Sequence, residues 1–181
     1  MPPLPQGGFR FVALDVETAN RDRSSICQIG LAFVHPGVAP ANKIETWSCY
    51  IDPATADWSC SWVHGITAQT VLGAPSFAQV IEILRPALQG LVIYQHSGFD
   101  RSAIGRASLQ AQLPAPDWEW RDSVIVARKA WPQLKGRGGH GLASLKDHLG
   151  LSFVHHDAGE DARAAALVVL HAEAKTPVMA G

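Results

Sequence analysis

The chain has 181 residues, 47% apolar and 17% charged, which suits one compact domain with a real core and excludes a disordered or collagen-like chain. Fifteen Lys and Arg against sixteen Asp and Glu leave a formal net charge of −1, so bulk basicity is excluded as a means of holding nucleic acid. Any such affinity has to come from local charge or bound metal.

After a Pro/Gly-rich lead, residues 9–16 read as a buried central strand, because Phe9, Phe11, Val12, Ala13, Leu14 and Val16 form a nearly continuous apolar run. Residues 26–34 and 43–51 follow as strands of an antiparallel meander, the second stopped at Asp52-Pro53. The period then changes. Phe77, Val80, Ile81, Leu84 and Leu88 recur at helical spacing and predict a helix over 76–88 with Ser76 as its N-cap. A short strand is expected over 91–94, then helices over 99–110 and 123–131. Residues 135–141 form a basic, glycine-rich loop, and a helix over 142–149 stops at Gly150. The last helix, over 160–174, is apolar nearly all round and belongs in the interior. Strands first and helices interleaved later predict a single domain over 1–181, α/β or, as the alternative, α+β, its core about 9–174, with one mixed sheet flanked by helices.

Cys27, Cys49 and Cys60 make no CxxC pair, so a reducing compartment is expected, with the cytoplasm the default. No run of about 18 apolar residues predicts a membrane span, and the N-terminus lacks the charged and apolar regions of an export signal.

Asp15 and Glu17 lie two apart at the end of the first strand, which puts both carboxylates on one face of the sheet. Asp100 follows the strand at 91–94 where a helix begins; a first-turn acid favoured by the helix dipole is an equally simple reading of it alone. His156 and Asp161 stand in a loop entering the last helix. Asp157 and Glu160 between them have capping-box spacing, which leaves Asp161 unexplained by capping. Four carboxylates and an imidazole are a suitable set for two hard divalent cations, Mg2+ or Mn2+. Such a pair can activate water and stabilise a departing 3′ oxygen. His156, with an ordinary pKa of about 6.5, suits a general base.

These residues carry a resemblance. Asp15-Val16-Glu17-Thr18, Val63-His64-Gly65-Ile66-Thr67, Phe99-Asp100, and His156 followed five residues later by Asp161-Ala162 resemble the DEDDh (DnaQ-like) branch of the 3′-to-5′ exonucleases, in the expected order. Asp122-Ser123 and Val126-Ala127-Arg128-Lys129 are similar to the proofreading (epsilon) type of bacterial DNA polymerase III. The resemblance implies a ribonuclease-H-like fold with a five-stranded mixed sheet, two Mg2+ or Mn2+ ions, and stepwise release of nucleoside 5′-monophosphates from a 3′ end. It implies that Asp15, Glu17, Asp100 and Asp161 hold the metals and that His156 is the base. Thr18, Val63, His64 and Ile66 would then contact the terminal nucleotide, with core packing the competing reading for Val63 and Ile66.

The chain departs from the family where it has Gln95-His96 before the third acid, in place of His-Asn. Only twenty residues follow Asp161, so a polymerase-binding tail is not expected, and a free-standing enzyme is favoured over a replisome subunit. From Arg121 to Lys146 six basic residues face only Asp122, a local charge of +5 against −6 elsewhere, and Arg137 is the best candidate for phosphate contact. Trp58 and Trp62 are candidate stacking platforms, while Trp47, Trp118, Trp120 and Trp131 read as packing residues. Single-stranded DNA 3′ ends are the expected substrate. Short RNA and a non-catalytic nucleic-acid-binding module of the same fold are the alternatives, and a homodimer is a base-rate expectation.

Overall fold

The computed structural model describes residues 1–136, 138–153 and 155–175. Five strands, β1 (Phe11–Thr18), β2 (Ile26–Val34), β3 (Ile44–Tyr50), β4 (Val92–Gln95) and β5 (Glu119–Asp122), form one sheet in the order β3-β2-β1-β4-β5. The first three pair antiparallel and the last three parallel, so the sheet is mixed and β1 is its middle strand. The helices are α1 (Ser61–His64), α2 (Phe77–Ala87), α3 (Phe99–Gln110), α4 (Ser123–Ala130), α5 (Leu142–Leu149) and α6 (Ala158–Lys175).

The strand period decides what each face does. Val12, Leu14 and Val16 point with Ile29, Leu31 and Phe33 into the core beneath α2 and α3. Phe11 and Ala13 point the other way, with Ala32 and Val34, against Ala162, Ala165, Ala166, Val169 and Leu170 of α6. Asp15 and Glu17 continue that second row, so both carboxylates emerge on the α6 face, as a period of two requires.

Small residues let α6 lie close on the sheet. Gly30, the register partner of Asp15, has no side chain because none fits: a Cβ there would stand 2.0 Å from the backbone carbonyl of Ala158. That contact fixes the start of α6 over the end of β1. Gln28, opposite Glu17, completes the anchor, its Oε1 accepting from the Ala158 amide at 3.2 Å and its Nε2 donating to Asp157 Oδ2 at 3.3 Å.

Most expected elements stand within two residues of their predicted ends. β1 continues past residue 16 because Glu17 and Thr18 pair with Gln28 and Ile26 across a bulge. Ser76 caps α2 and Gln79 completes a capping box, and Gly150 ends α5 in the left-handed conformation. The sequence reading had no strand at 119–122 and no helix at 61–64. Among the described residues no helix is long and apolar enough to cross a membrane.

Candidate active site

Four carboxylates meet at the carboxyl ends of β1 and β4. Asp15 and Glu17 come from β1, Asp100 from the first turn of α3, and Asp161 from the first turn of α6. Asp100 is 3% exposed and its Oδ1 accepts from the Val16 amide at 3.1 Å. β4 pairs with β1 only at Val12 and Ala13, so the strands part beyond that point and Asp100 takes the freed donor. Asp161, 5% exposed, accepts from the His156 amide through Oδ2 at 2.9 Å. Carboxylate oxygens of Asp15, Glu17 and Asp161 lie within 4.8 Å of one another.

The electrostatics are those of a site built for a cation. Burial raises Asp15 well above the ordinary aspartate value, with Asp100, Asp161 and Glu17 adding repulsion. Burial and then the charges of Asp161 and Asp100 push Glu17 up to about 8. Burial lifts Asp100 to about 7 against the opposing hydrogen bond from Val16, and it raises Asp161 despite the His156 amide. Four carboxylates this close cannot all ionise near neutrality without positive charge between them. Oδ1 of Asp161, buried and with no hydrogen-bond partner among the described residues, is an acceptor left open for such a charge. An all-oxygen donor set of this kind fits a hard divalent cation.

His156 sits at the mouth of the site, exposed, with a backbone φ of 65°. Asp157 caps α6 as expected, Oδ1 accepting from the Glu160 amide at 3.0 Å. His64 accepts from the Ile66 amide through Nδ1 at 3.0 Å and donates through Nε2 to the Thr18 carbonyl at 3.1 Å. Those partners fix a neutral imidazole, in keeping with the burial that lowers its pKa. The α1 segment is thereby latched to the end of β1. Val63 and His64 are half-buried beside fully exposed Trp62 (86%), while Ile66, 4% exposed, packs with Ala19, Cys27 and Val71. Trp58 is half-buried against that cluster. Trp47, Trp118 and Trp131 are buried and Trp120 half-buried. Arg137 lies outside the described residues.

The Gln95-His96 departure acquires a role in the structure. Gln95 Oε1 accepts from the Arg101 amide at 2.9 Å and so caps the helix that carries Asp100. The His96 ring donates through Nε2 to the His140 carbonyl at 2.9 Å and meets Ser123 Oγ at 2.8 Å through Nδ1. Burial pushes its pKa down to about 4, so it is a neutral tie between β4, α4 and the loop before α5. His155 was not singled out from sequence, although the His155-His156 doublet was visible. Its Nδ1 stands 3.1 Å from Asp161 Oδ1.

The family profile described as Exonuclease (RNase_T) matches residues 12–169. The chain belongs to that exonuclease family. It is similar to the PolC-type DNA polymerase III of Streptococcus thermophilus, 29% identical over 150 residues that cover 81% of this chain and 10% of that protein. It therefore spans about a tenth of the length of the curated relatives it matches. In fold it is similar to the nuclease domain of 3′hExo, a DEDDh family member bound to rAMP, with a TM-score of 0.71, 16% identity, and coverage of 90% of this chain and 91% of that one. It is also similar to Escherichia coli exonuclease I in complex with a 5cy-dT13 oligonucleotide, with a TM-score of 0.65, 16% identity, and coverage of 88% and 40%. The resemblance drawn from the motifs and the expected ribonuclease-H-like fold are both borne out. As a member of this exonuclease family the chain is classed among enzymes that act on nucleic acid, and the family and the acidic cluster together imply divalent cations.

Proposed function

We propose that the chain is a cation-dependent 3′-to-5′ exonuclease that removes nucleoside 5′-monophosphates one at a time from single-stranded DNA 3′ ends. The observation that carries this reading is the meeting of Asp15, Glu17, Asp100 and Asp161 at one end of the sheet, with His156 at the mouth. Asp15, Glu17, Asp100 and Asp161 would hold two divalent cations, Mg2+ or Mn2+, which when bound would activate water and stabilise the leaving oxygen. His156 takes the proton of the attacking water, because it is the imidazole at the site that is open to solvent. The water oxygen bonds to phosphorus in line with the scissile bond, the 3′ oxygen of the next nucleotide departs, and a 5′-monophosphate is released.

Thr18, Val63, His64 and Ile66 receive the terminal nucleotide. Val63 and His64 offer the accessible surface, and Ile66 supports them from the satellite core. Trp62 gives the next base a face to stack on. Arg137, in the glycine-rich loop, meets the backbone phosphates. The polymerase relative and the dT13 complex support DNA as the substrate. The rAMP-bound neighbour supports RNA as the second reading.

Matched 5′-labelled single-stranded DNA and RNA oligonucleotides, incubated with Mg2+, Mn2+ or EDTA and resolved on a gel, test the proposal. A cation-dependent ladder that shortens from the 3′ end, faster on DNA, is expected. Faster loss of RNA transfers the substrate assignment, and intact oligonucleotide bound in every lane overturns the catalytic reading in favour of a binding module.

A further inference from the structure

The corner of the site behind Asp161 holds a histidine, His155, that hydrolysis does not use. Asp161 commits Oδ2 to the His156 amide and leaves Oδ1 without a hydrogen-bond partner among the described residues. His155 Nδ1 is 3.1 Å from that oxygen, ion-pair distance when the ring carries a proton. Both ring nitrogens of His155 remain buried and unpartnered among the described residues. The ring itself is held in place between Phe153, 5.0 Å away centroid to centroid, and His156, 5.2 Å away. One nitrogen of His155, one of His156 and one oxygen of Asp161 all lie within 4.8 Å of one another.

We infer that His155, His156 and Asp161 form a site for a borderline transition metal, Zn2+ first, which shares Asp161 with the all-carboxylate group but differs from it in ligand chemistry. Two imidazoles and one carboxylate are donors that Zn2+ accepts readily, and they leave a fourth position for water. Mg2+ prefers oxygen ligands and gains little from either ring. Metal–ligand bonds of about 2.0–2.2 Å need the three atoms to be somewhat closer than they stand. The exposed His156 side chain has the freedom to make that adjustment.

Sharing gives the site a consequence, which rests on the function proposed above. A Zn2+ ion on His155 and His156 withdraws Asp161 from the carboxylate group and His156 from proton transfer, so Zn2+ antagonises Mg2+-supported hydrolysis. Binding of Zn2+ itself does not depend on that function.

The experiment is isothermal titration of the full chain with Zn2+ and separately with Mg2+, together with the visible absorption of the Co2+ form, for wild type, His155→Gln, His155→Asn and Glu17→Gln. Loss of a ligand costs at least the tenfold that loss of a supporting partner costs. Both His155 variants are therefore expected to bind Zn2+ at least ten times more weakly, with a changed Co2+ spectrum and Mg2+ affinity within about twofold. Glu17→Gln is expected to weaken Mg2+ more than Zn2+. In the oligonucleotide assay with Mg2+, added Zn2+ stops wild type at concentrations that leave His155→Gln active. Unchanged Zn2+ affinity in either folded His155 variant, or a parallel fall in Mg2+ affinity, overturns the site. An inactive but Zn2+-binding protein instead refutes the proposed hydrolysis and leaves the metal site standing.

Discussion

Replacing Glu17 with Gln should stabilise the metal-free protein, and by an amount that depends on pH. The folded carboxyl titrates at about 8 against 4.5 when unperturbed, because burial and the neighbouring charges of Asp161 and Asp100 oppose its ionisation. The stability contributed by this raised group is fully present below pH 4.5 and is lost as pH rises through 8, because the unfolded chain gives up the proton first. At pH 7 the window already crossed corresponds to about 3 kcal/mol, and with discount for the partial exposure of Glu17 about 2 kcal/mol. Asp15, Asp100 and Asp161 shift in the same direction, whereas His96 and His64, whose pKa values burial lowers, contribute the opposite slope on the acid side, so the variant is read against wild type at each pH. At about 2–4 °C per kcal/mol for a domain of this size, Glu17→Gln in EDTA is expected to melt roughly 4–8 °C above wild type at pH 7, with a small difference at pH 5. Mg2+ should reverse the order, since cation binding requires the ionised ligands and grows stronger as pH rises. Thermal melts by circular dichroism from pH 5 to 9, with EDTA and with Mg2+, supply the data. A Tm gap between variant and wild type in EDTA that fails to widen from pH 5 to 8, or a variant no more stable than wild type at pH 8, would refute the reasoning.

Gly30→Ala places a Cβ 2.0 Å from the Ala158 backbone, which side-chain rotation cannot relieve; a loss of about 3 kcal/mol or more in urea denaturation is expected, with weaker Mg2+ binding as Asp161 moves. His156→Ala should keep Mg2+ affinity within about threefold by calorimetry and lose about 10²–10⁴-fold in kcat on a labelled oligonucleotide. Trp62→Ala, which removes an 86% exposed ring, should leave the Tm unchanged and weaken single-stranded oligonucleotide binding at least fivefold by fluorescence anisotropy, the lower end of one lost base stack at about 1 kcal/mol.

Sequence reading reached the elements whose character is set locally. The run from Phe11 to Leu14 is apolar on both faces because β1 is covered on both sides, and the periodicity of 77–88 needs only one buried face. β5 escaped because it is a four-residue edge strand, Glu-Trp-Arg-Asp, whose Glu119 and Arg121 face water and whose one tryptophan reads as packing; short, charged edges are how sheets avoid pairing with other chains. The acids could be named because each stands beside a change of element, where an apolar strand has no reason to end in carboxylates. Gln95 and His96 could not be assigned, since their partners lie up to 44 residues away and hydrogen-bond roles of that kind exist only after folding. Gly30 did carry a signal: an isolated glycine within an apolar strand marks close approach of another backbone, here the start of α6.

The acidic cluster is tolerated because the fold distributes its cost. Asp100 and Asp161 occupy first turns of helices, where unsatisfied amides and the helix dipole favour negative charge. Each also accepts a backbone hydrogen bond from outside its own helix, from Val16 and from His156. Asp15 and Glu17 have no such support from β1, whose amides belong to the sheet. They are the pair on which burial and repulsion act together with no hydrogen bond to offset them, and they depend most on a cation. The alanine-rich contact of α6 with Ala13, Gly30 and Ala32 supplies the rigidity that holds Asp161 over them against that repulsion. Loosening this contact should therefore cost packing stability with or without the cation and, beyond that, the extra stability that Mg2+ confers, so mutations beneath α6 separate packing loss from site loss by the Mg2+ dependence of the melt.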